Sequence, residues 1–269
     1  MTWGIASTSD SDSFKNRYLS PKYVDFWIAD KGMESGRRLW RSRLLSFLPF
    51  ESNQEFRVLD LGTGTGALSL EILIRYPNVS LTCLDFSEAM LSHARERLEK
   101  FGDKVIFVQS NLQNSGWSKA VVGTFDAVVS SFVTHTIPDT VEMLYEELFG
   151  LVNSDGCFLS CDVFPPPGPA LERIYHKSRL IERQQFIKLK TGVEKTTQEV
   201  EQQLHERREG YRAFVKGNGR ILSLGSPTVM NHLEWLKKAG FDEVDCLEKH
   251  TRNAIIGGFR HGKKEKLLK

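Results

Sequence analysis

Val58-Leu59-Asp60-Leu61-Gly62-Thr63-Gly64-Thr65-Gly66 is the stretch that decides how this chain folds. Three glycines at alternate positions end a short apolar run, FRVLDL (56–61), and precede ALSLEILIRY (67–76), whose apolar residues fall at helical intervals until Pro77. A strand that runs into glycines and emerges as a helix has a backbone that turns tightly and that a ligand can approach closely. The same alternation continues beyond it. VSLTCLDF (79–86) is a second strand, and Ser87 caps the helix SEAMLSHARERLEKF. KVIFVQS (104–110) and FDAVVSSF (125–132) are the third and fourth strands. Pro138 and Asp139 open a helix that runs to about Val152, with Asp139 and Glu142 spaced as a capping box, and GCFLSCDV (156–163) is the fifth strand. Repeated strand–helix alternation implies a parallel sheet with helices on both faces, and continuous apolar strands are what burial on both faces requires.

The pattern changes at the stiff FPPPGP exit (164–169). Two polar helices are predicted over 170–190 and 196–216, the second capped by Thr196 and Glu199. Alternation then resumes with a helix from Ser226-Pro227 to Gly240. FDEVDCLEKH (241–250) and NAIIGGFR (253–260) are strands joined too closely for anything but an antiparallel hairpin. Upstream, residues 14–48 carry aromatics at helical spacing, and Pro21 and Gly32 divide them into two helices. The expected fold class is therefore α/β: a Rossmann-type doubly wound sheet, mostly parallel, with an antiparallel C-terminal hairpin strand. Residues 1–50 form an N-terminal helical cover. Residues 51–269 form the α/β domain, with a helical insertion at about 165–225.

With 269 residues, 40% apolar and 26% charged, the composition is that of a globular chain and excludes global disorder. Thirty-six basic residues stand against 34 acidic ones, which excludes a uniformly basic nucleic-acid binder. No apolar run reaches the length of about 18 residues that a membrane span needs. The first fourteen residues, MTWGIASTSDSDSF, lack the basic and apolar regions of a secretory signal and read as a frayed lead-in. Cys83, Cys157, Cys161 and Cys246 form neither a Cys-x-x-Cys pair nor a zinc-finger spacing, so reduced thiols and a cytoplasmic location are expected. Cys157 and Cys161 share one face of a strand, the spacing of core packing.

Two cofactor classes fit a glycine turn of this kind. Gly62-x-Gly64-x-x-Ala67 satisfies the dinucleotide fingerprint. Asp60, two residues before the first glycine, opposes it, because a carboxylate beside a pyrophosphate repels it. S-adenosylmethionine (SAM) has no phosphate but carries a sulfonium and an ammonium, and both suit a carboxylate at the strand end. Asp85, at the end of the second strand, can accept two ribose hydroxyls and fits either cofactor. The terminal hairpin is not a usual dinucleotide arrangement and favours SAM.

VLDLGTGTG (58–66), LDFSEAML (84–91), FDAVVSSFVTH (125–135) and LKKAGFDEVDCLEKHTRNAIIGGF (236–259) resemble the class I SAM-dependent methyltransferases. The resemblance covers roughly residues 40–163 and 227–260. It implies that Gly62, Gly64 and Gly66 line the methionyl part of SAM and that Asp60 supports its ammonium. It further implies that Asp85 holds the ribose and that Phe86 lies against adenine. Where the family often has Asp after the third strand, this chain has Asn111 followed by Leu112, and an Asn carbonyl can still accept from the adenine amino group. Ser130 or Ser131, ending the fourth strand, would face the methionyl group. The long insertion and the Ala-Gly-Phe ending are similar to a narrower branch that includes carboxy-SAM synthases and related small-molecule methyltransferases.

Ligands of open α/β sheets lie outside the C-terminal strand ends, so the chemistry is sought just after strands four and five. His135 is a candidate general base or substrate hydrogen-bond partner; a polar residue at a loop–helix junction is the alternative. Asp162, near the end of strand five, points either into the cleft or toward a cap. The insertion is dense in Arg, His and Tyr. As a lid its cations would select an acidic group, with Tyr211 and Arg212 the preferred pair, whereas a solvated helical face explains the same residues. His250 at the hairpin turn is a further cleft candidate.

Methyl transfer from a sulfonium needs alignment, exclusion of water and, for a protonated acceptor, a base. No Asn/Asp-Pro-Pro-Tyr/Phe motif follows the fourth strand, where Ser130-Ser131-Phe132 stands, and this argues against the adenine-N6 and glutamine amide methyltransferases. The expected function is SAM-dependent methylation of a small molecule at nitrogen or oxygen, with no membrane partner and with nucleic acid disfavoured. Oligomeric state stays open, a homodimer among the options. Three alternatives stand: methylation of tRNA through a stripe of Arg37, Arg38, Arg41 and Arg43; a carboxy-SAM type of SAM modification; and a protein that holds SAM without turnover.

Overall fold

A computed structural model of the chain describes residues 31–215 and 225–262, in backbone terms only for 31–35, 207–208 and 210–215. Seven strands build one sheet in the order β3-β2-β1-β4-β5-β7-β6. They are β1 (Arg57–Leu61), β2 (Ser80–Asp85), β3 (Val105–Gln109), β4 (Phe125–Ser131), β5 (Val152–Val163), β6 (Glu243–His250) and β7 (Asn253–Phe259). β1 to β5 pair in parallel, while β7 lies antiparallel to both β5 and β6. The last strand is thus inserted between its hairpin partner and β5, from Cys157 opposite Phe259 to Val163 opposite Asn253.

Strict alternation along the central strands feeds two cores. On one face Leu59, Leu61, Val128, Phe158 and Ile256 pack against α4 (Val141–Leu151) and α7 (Val229–Ala239) through Leu144, Tyr145, Leu148 and Leu236. On the other, Val58, Leu81, Ala127, Val129, Leu159 and Ile255 meet α1 (Lys31–Ser46), α2 (Ala67–Arg75) and α3 (Glu88–Leu98) through Trp40, Leu44, Leu68, Ile72 and Leu98. Cys83, Cys157 and Cys161 belong to this second core, and burial pushes each thiol up to about 12. α5 (Pro169–Thr191) and α6 (Thr197–Val215) form the insertion, closed on itself by a small cluster of Leu180, Ile187 and Val200. No helix among the described residues is long and apolar enough to cross a membrane.

Caps follow the sequence in two helices and depart from it in two. Ser87 accepts from the Met90 amide at the start of α3. Thr196 and Glu199 exchange hydrogen bonds ahead of α6. The cap of α7 is Thr228, boxed with Asn231, so the helix starts just past the predicted Ser226-Pro227. The expected Asp139–Glu142 box does not form. α4 begins at Val141 behind Thr140, and Glu142 instead reaches Lys238 on α7. Gly32 lies inside α1, among its described residues Lys31–Ser46. Pro21 and the predicted lead-in lie outside the described residues.

Candidate cofactor cleft and its neighbours

Strand order reverses between β1 and β4, and a cleft opens at that switch point beyond the C-terminal strand ends. It is lined by Asp60, the 62–65 turn, Asp85, Phe86, Met90, the 110–113 segment, the 131–133 segment, Thr136 and Ile137, and by Arg37 and Arg41 from α1. The turn is pinned to β2, because the Gly62 and Thr63 amides both donate to the Leu84 carbonyl, at 2.7 and 2.9 Å.

The three glycines all have positive φ but do different work. A Cβ on Gly62 would stand 2.5 Å from Val133, so this position lets the segment after β4 close on the turn. A Cβ on Gly66 would stand 3.2 Å from Ala94, so this position lets α2 approach α3. Gly66 does not line the cleft. Gly64 does, and a Cβ there would meet nothing within 4 Å. Gly62 and Gly64 are the two of the three glycines that line the cleft.

Asp60 is buried at the end of β1. Its Oδ2 accepts from Thr63 Oγ1 at 2.9 Å and from Ser69 Oγ at 2.6 Å, while its Oδ1 is buried without a hydrogen-bond partner. Burial pushes this carboxyl up to about 6 against the two hydroxyl donors, with Asp85 adding to the rise and Arg41 opposing it. A buried, unpartnered carboxylate oxygen facing a cleft has an evident use, which is to receive a cation. Asp85 accepts from the Gly64 amide and the Ser87 amide, each at 2.9 Å, and so holds the turn as well as facing the cleft. Burial raises its pKa against those donors. Asn111 spends one lone pair of its carbonyl on the Gln113 amide at 3.0 Å, leaving the other for a ligand.

Phe86, Asn111 and Leu112 stand along the same cleft as the glycine turn. Ser130 does not: its hydroxyl donates to the Leu61 carbonyl at 3.2 Å between strands, and Ser131 takes the place facing the cleft. His135 lies on a short helical turn, Thr134–Thr136, after β4; its neighbours Val133 and Thr136 line the cleft, and His135 itself does not. Its Nδ1 is 2.5 Å from Asp162 Oδ1. Asp162 also accepts from Thr134 Oγ1 at 2.7 Å and from the His135 amide at 3.2 Å. Burial alone would raise the Asp162 carboxyl, but the His135 ring and these donors hold it below the ordinary carboxylate value. Asp162 therefore turns toward His135, a pairing that strand alternation alone does not reveal.

His250 does not line the cleft. Its ring meets Glu182 of α5 at 2.8 Å. Around it Lys249 donates to the Tyr175 hydroxyl at 2.8 Å and Arg252 pairs with Glu172 at 2.5 Å, so the hairpin turn is what docks the insertion. The side chains of Tyr211 and Arg212 lie outside the described residues, although the backbone of α6 runs through both positions. Sequence reasoning missed the cleft role of Arg37 and Arg41. The signal was present, because they stand four apart on the flank of the apolar stripe Trp40, Leu44, Leu45.

Comparison with known proteins agrees with this geometry. Residues 58–156 match the family described as "Methyltransferase domain". Over 140 residues the chain is 31% identical to the ubiquinone/menaquinone biosynthesis C-methyltransferase UbiE of Methylobacterium nodulans, covering 51% of this chain and 54% of that protein. Over 213 residues it is 25% identical to the carboxy-S-adenosyl-L-methionine synthase of Nautilia profundicola, covering 78% and 80%. Human N-acetylserotonin methyltransferase, solved in complex with SAM, superposes with a TM-score of 0.57 at 16% identity, over 93% of this chain and 59% of that one. The chain spans about half the length of the first curated relatives it matches. The region that builds the cleft is thus a methyltransferase domain of the class I, SAM-dependent type. The residues present fit SAM: a buried acceptor without a partner awaits a cation, and the backbone at Gly64 lies open.

Proposed function

We propose that the protein transfers a methyl group from SAM to a nitrogen or oxygen atom of a small molecule. The observation that carries the cofactor is the unpartnered Oδ1 of Asp60 at the mouth of the glycine turn. When bound, SAM supplies an electrophilic methyl on a sulfonium, displaced in line. Asp60 would hold the ammonium, Asp85 the ribose hydroxyls, and Phe86, Asn111 and Leu112 the adenine. The Gly62 and Gly64 backbone would bear on the methionyl chain, with Ser131 beside it.

The acceptor atom rests on His135. With Asp162 ionised at its Nδ1, the ring keeps its proton on that side and presents Nε2 as a base. Nε2 makes no hydrogen bond among the described residues. A proton leaving an amine or hydroxyl during transfer would move to Nε2, and the buried carboxylate would stabilise the resulting imidazolium. A small-molecule acceptor is supported by the relatives' names and by the fate of the arginine stripe: Arg41 is buried in the cleft and Arg43 pairs with Glu248.

One experiment joins both parts. Calorimetry is expected to detect SAM and not NADH. On an acceptor found in a panel of amines, phenols and carboxylic acids, His135→Ala is expected to lower kcat about 100-fold or more while the SAM Kd stays within about twofold. Heat from NADH with none from SAM removes the proposal, and an unchanged kcat removes the base.

The similarity to the carboxy-SAM synthase, which spans 80% of that protein, favours a second reading in which SAM itself is modified. Mass spectrometry of the co-purified ligand separates the two.

A further inference from the structure

The helical insertion ends in an ordered tip. α5 is capped by Gly192, in the left-handed region at a φ of 72°, whose amide donates to the Lys188 carbonyl at 2.8 Å. Lys188 pairs with Glu194, and the Gln184 side chain donates to the Lys195 carbonyl at 2.9 Å, so the turn into α6 is held from both sides. The hydrogen bonds and ion pairs of residues 183–199 all stay within the insertion. The tip thus lies past Glu182, the last anchor of α5 on the hairpin turn.

Inward, Ile187 is buried with Leu180 and Val200. Outward, Leu189 is 87% exposed, Val193 53% and Phe186 47%. At 3.6 residues per turn Leu189 stands about 200° around the helix from Ile187, so it serves no packing inside the insertion. Exposed large apolar side chains outside the insertion, such as Ile74, Ile106 and Val122, each stand on a different segment. α5 and its closing turn hold six among the described residues, with Leu171, Ile174 and Ile181 continuing back along the helix. Apolar surface gathered in this way marks a contact.

Charge selects the partner. Arg183, Lys188, Lys190 and Lys195 surround the apolar tip, and the Arg183 guanidinium lies 5.2 Å from the Phe186 ring centroid. The two carboxylates nearby are engaged: Glu194 by Lys188, and Glu199 by the Thr196 amide and hydroxyl. A second copy would set like charges against like, which disfavours self-pairing. An anionic bilayer answers both features at once, because its headgroups attract the cations while the acyl boundary admits protruding apolar side chains. We propose that the α5–α6 tip docks the protein on an anionic lipid surface, with Phe186, Leu189 and Val193 entering the headgroup region and the lysines resting on lipid phosphates. The expectation of no membrane partner rested on the lack of a spanning run, and docking on a surface requires none.

Co-sedimentation tests this with vesicles of phosphatidylglycerol and phosphatidylcholine in equal parts, against phosphatidylcholine alone. The wild-type protein is expected to partition about tenfold or more strongly onto the anionic vesicles and to lose that preference as salt rises. Leu189→Ser is expected to weaken partitioning about tenfold, the scale of one leucine withheld from an apolar phase, and Lys190→Gln about threefold or more. Both side chains are exposed, so thermal melts of the two variants are expected to match wild type. Equal partitioning onto the two vesicle types, or onto neither, overturns the proposal. Partitioning that Leu189→Ser leaves within about twofold overturns the tip as the docking site. A dimer seen by light scattering that the same variant dissociates makes the tip an interface between copies and also overturns it. None of these residues lines the cofactor cleft, so vesicle binding and SAM binding fail independently.

Discussion

Asp60 shows how much one carboxyl can carry. Its pKa, about 6 in the folded protein, lies above the ordinary 3.8, chiefly through burial. Between those values the folded chain holds a proton that the unfolded chain has released. Raising the pH through that window therefore costs the ligand-free protein stability, and above about pH 6 the cost is constant. A cationic ligand demands the opposite state, because it needs the carboxylate ionised. SAM affinity is thus expected to tighten as pH rises from about 5 to 7 and then to level off, with proton release on binding near the midpoint. Calorimetry in two buffers of different ionisation enthalpy measures that release. Asp60→Asn should bind more weakly with a flatter profile. If the variant is equally steep, the titrating group is another, with Asp85 next in line because burial raises it too. Asp60 was legible in the sequence because its position before the glycines is fixed by the strand–turn pattern. Its hydroxyl partners, Thr63 and Ser69, and the Asp162–His135 pair were not, because those contacts depend on how separate segments are aimed after folding.

At the scale of the element, the glycine turn separates affinity from stability. Gly64 and Gly66 both have positive φ, so alanine strains either one by roughly 1 kcal/mol or more. Only at Gly66 does the added methyl also press on Ala94 and Leu98, and only Gly64 lines the cleft. Gly66→Ala is expected to give the larger fall in Tm, and Gly64→Ala the larger loss of SAM affinity for its fall in Tm. Thermal melts with and without SAM check this, and equal ratios of the two effects would refute the division. From sequence the three glycines read as one motif lining a ligand, because spacing marks where a tight turn is needed but not which neighbour makes it tight. Helix starts show a similar limit. Thr196 and Glu199 meet as read, whereas Glu142 finds Lys238 across an interface instead of closing a box with Asp139. Local pattern was overruled there by a partner 96 residues away.

For the whole molecule, the repeated strand–helix alternation and the closing hairpin were legible because period and length suffice to identify buried strands and a short antiparallel join. How the insertion attaches was not. Its anchors are Lys249 on Tyr175, His250 on Glu182 and Arg252 on Glu172, which bring the hairpin turn against α5. Arg252 is the least exposed of the three, and its loss frees Glu172 as well. Arg252→Ala is expected to speed protease cleavage within 169–215 several-fold while shifting stability of the sheet by no more than about 1 kcal/mol. Limited proteolysis followed by mass spectrometry locates the cuts, and an unaltered cleavage pattern would show that the anchor lies elsewhere.

The strand that sits between β5 and β6 is the last of the seven to be synthesised. As the nascent chain leaves the ribosome, β6 has no seat on the sheet until residues through Phe259 have cleared the exit tunnel, and the flank of β5 waits with them. A stalled or prematurely terminated polypeptide would display that open edge to other chains. Translation arrest shortly before Asn253 is therefore expected to leave both β5 and β6 without the strand that joins them.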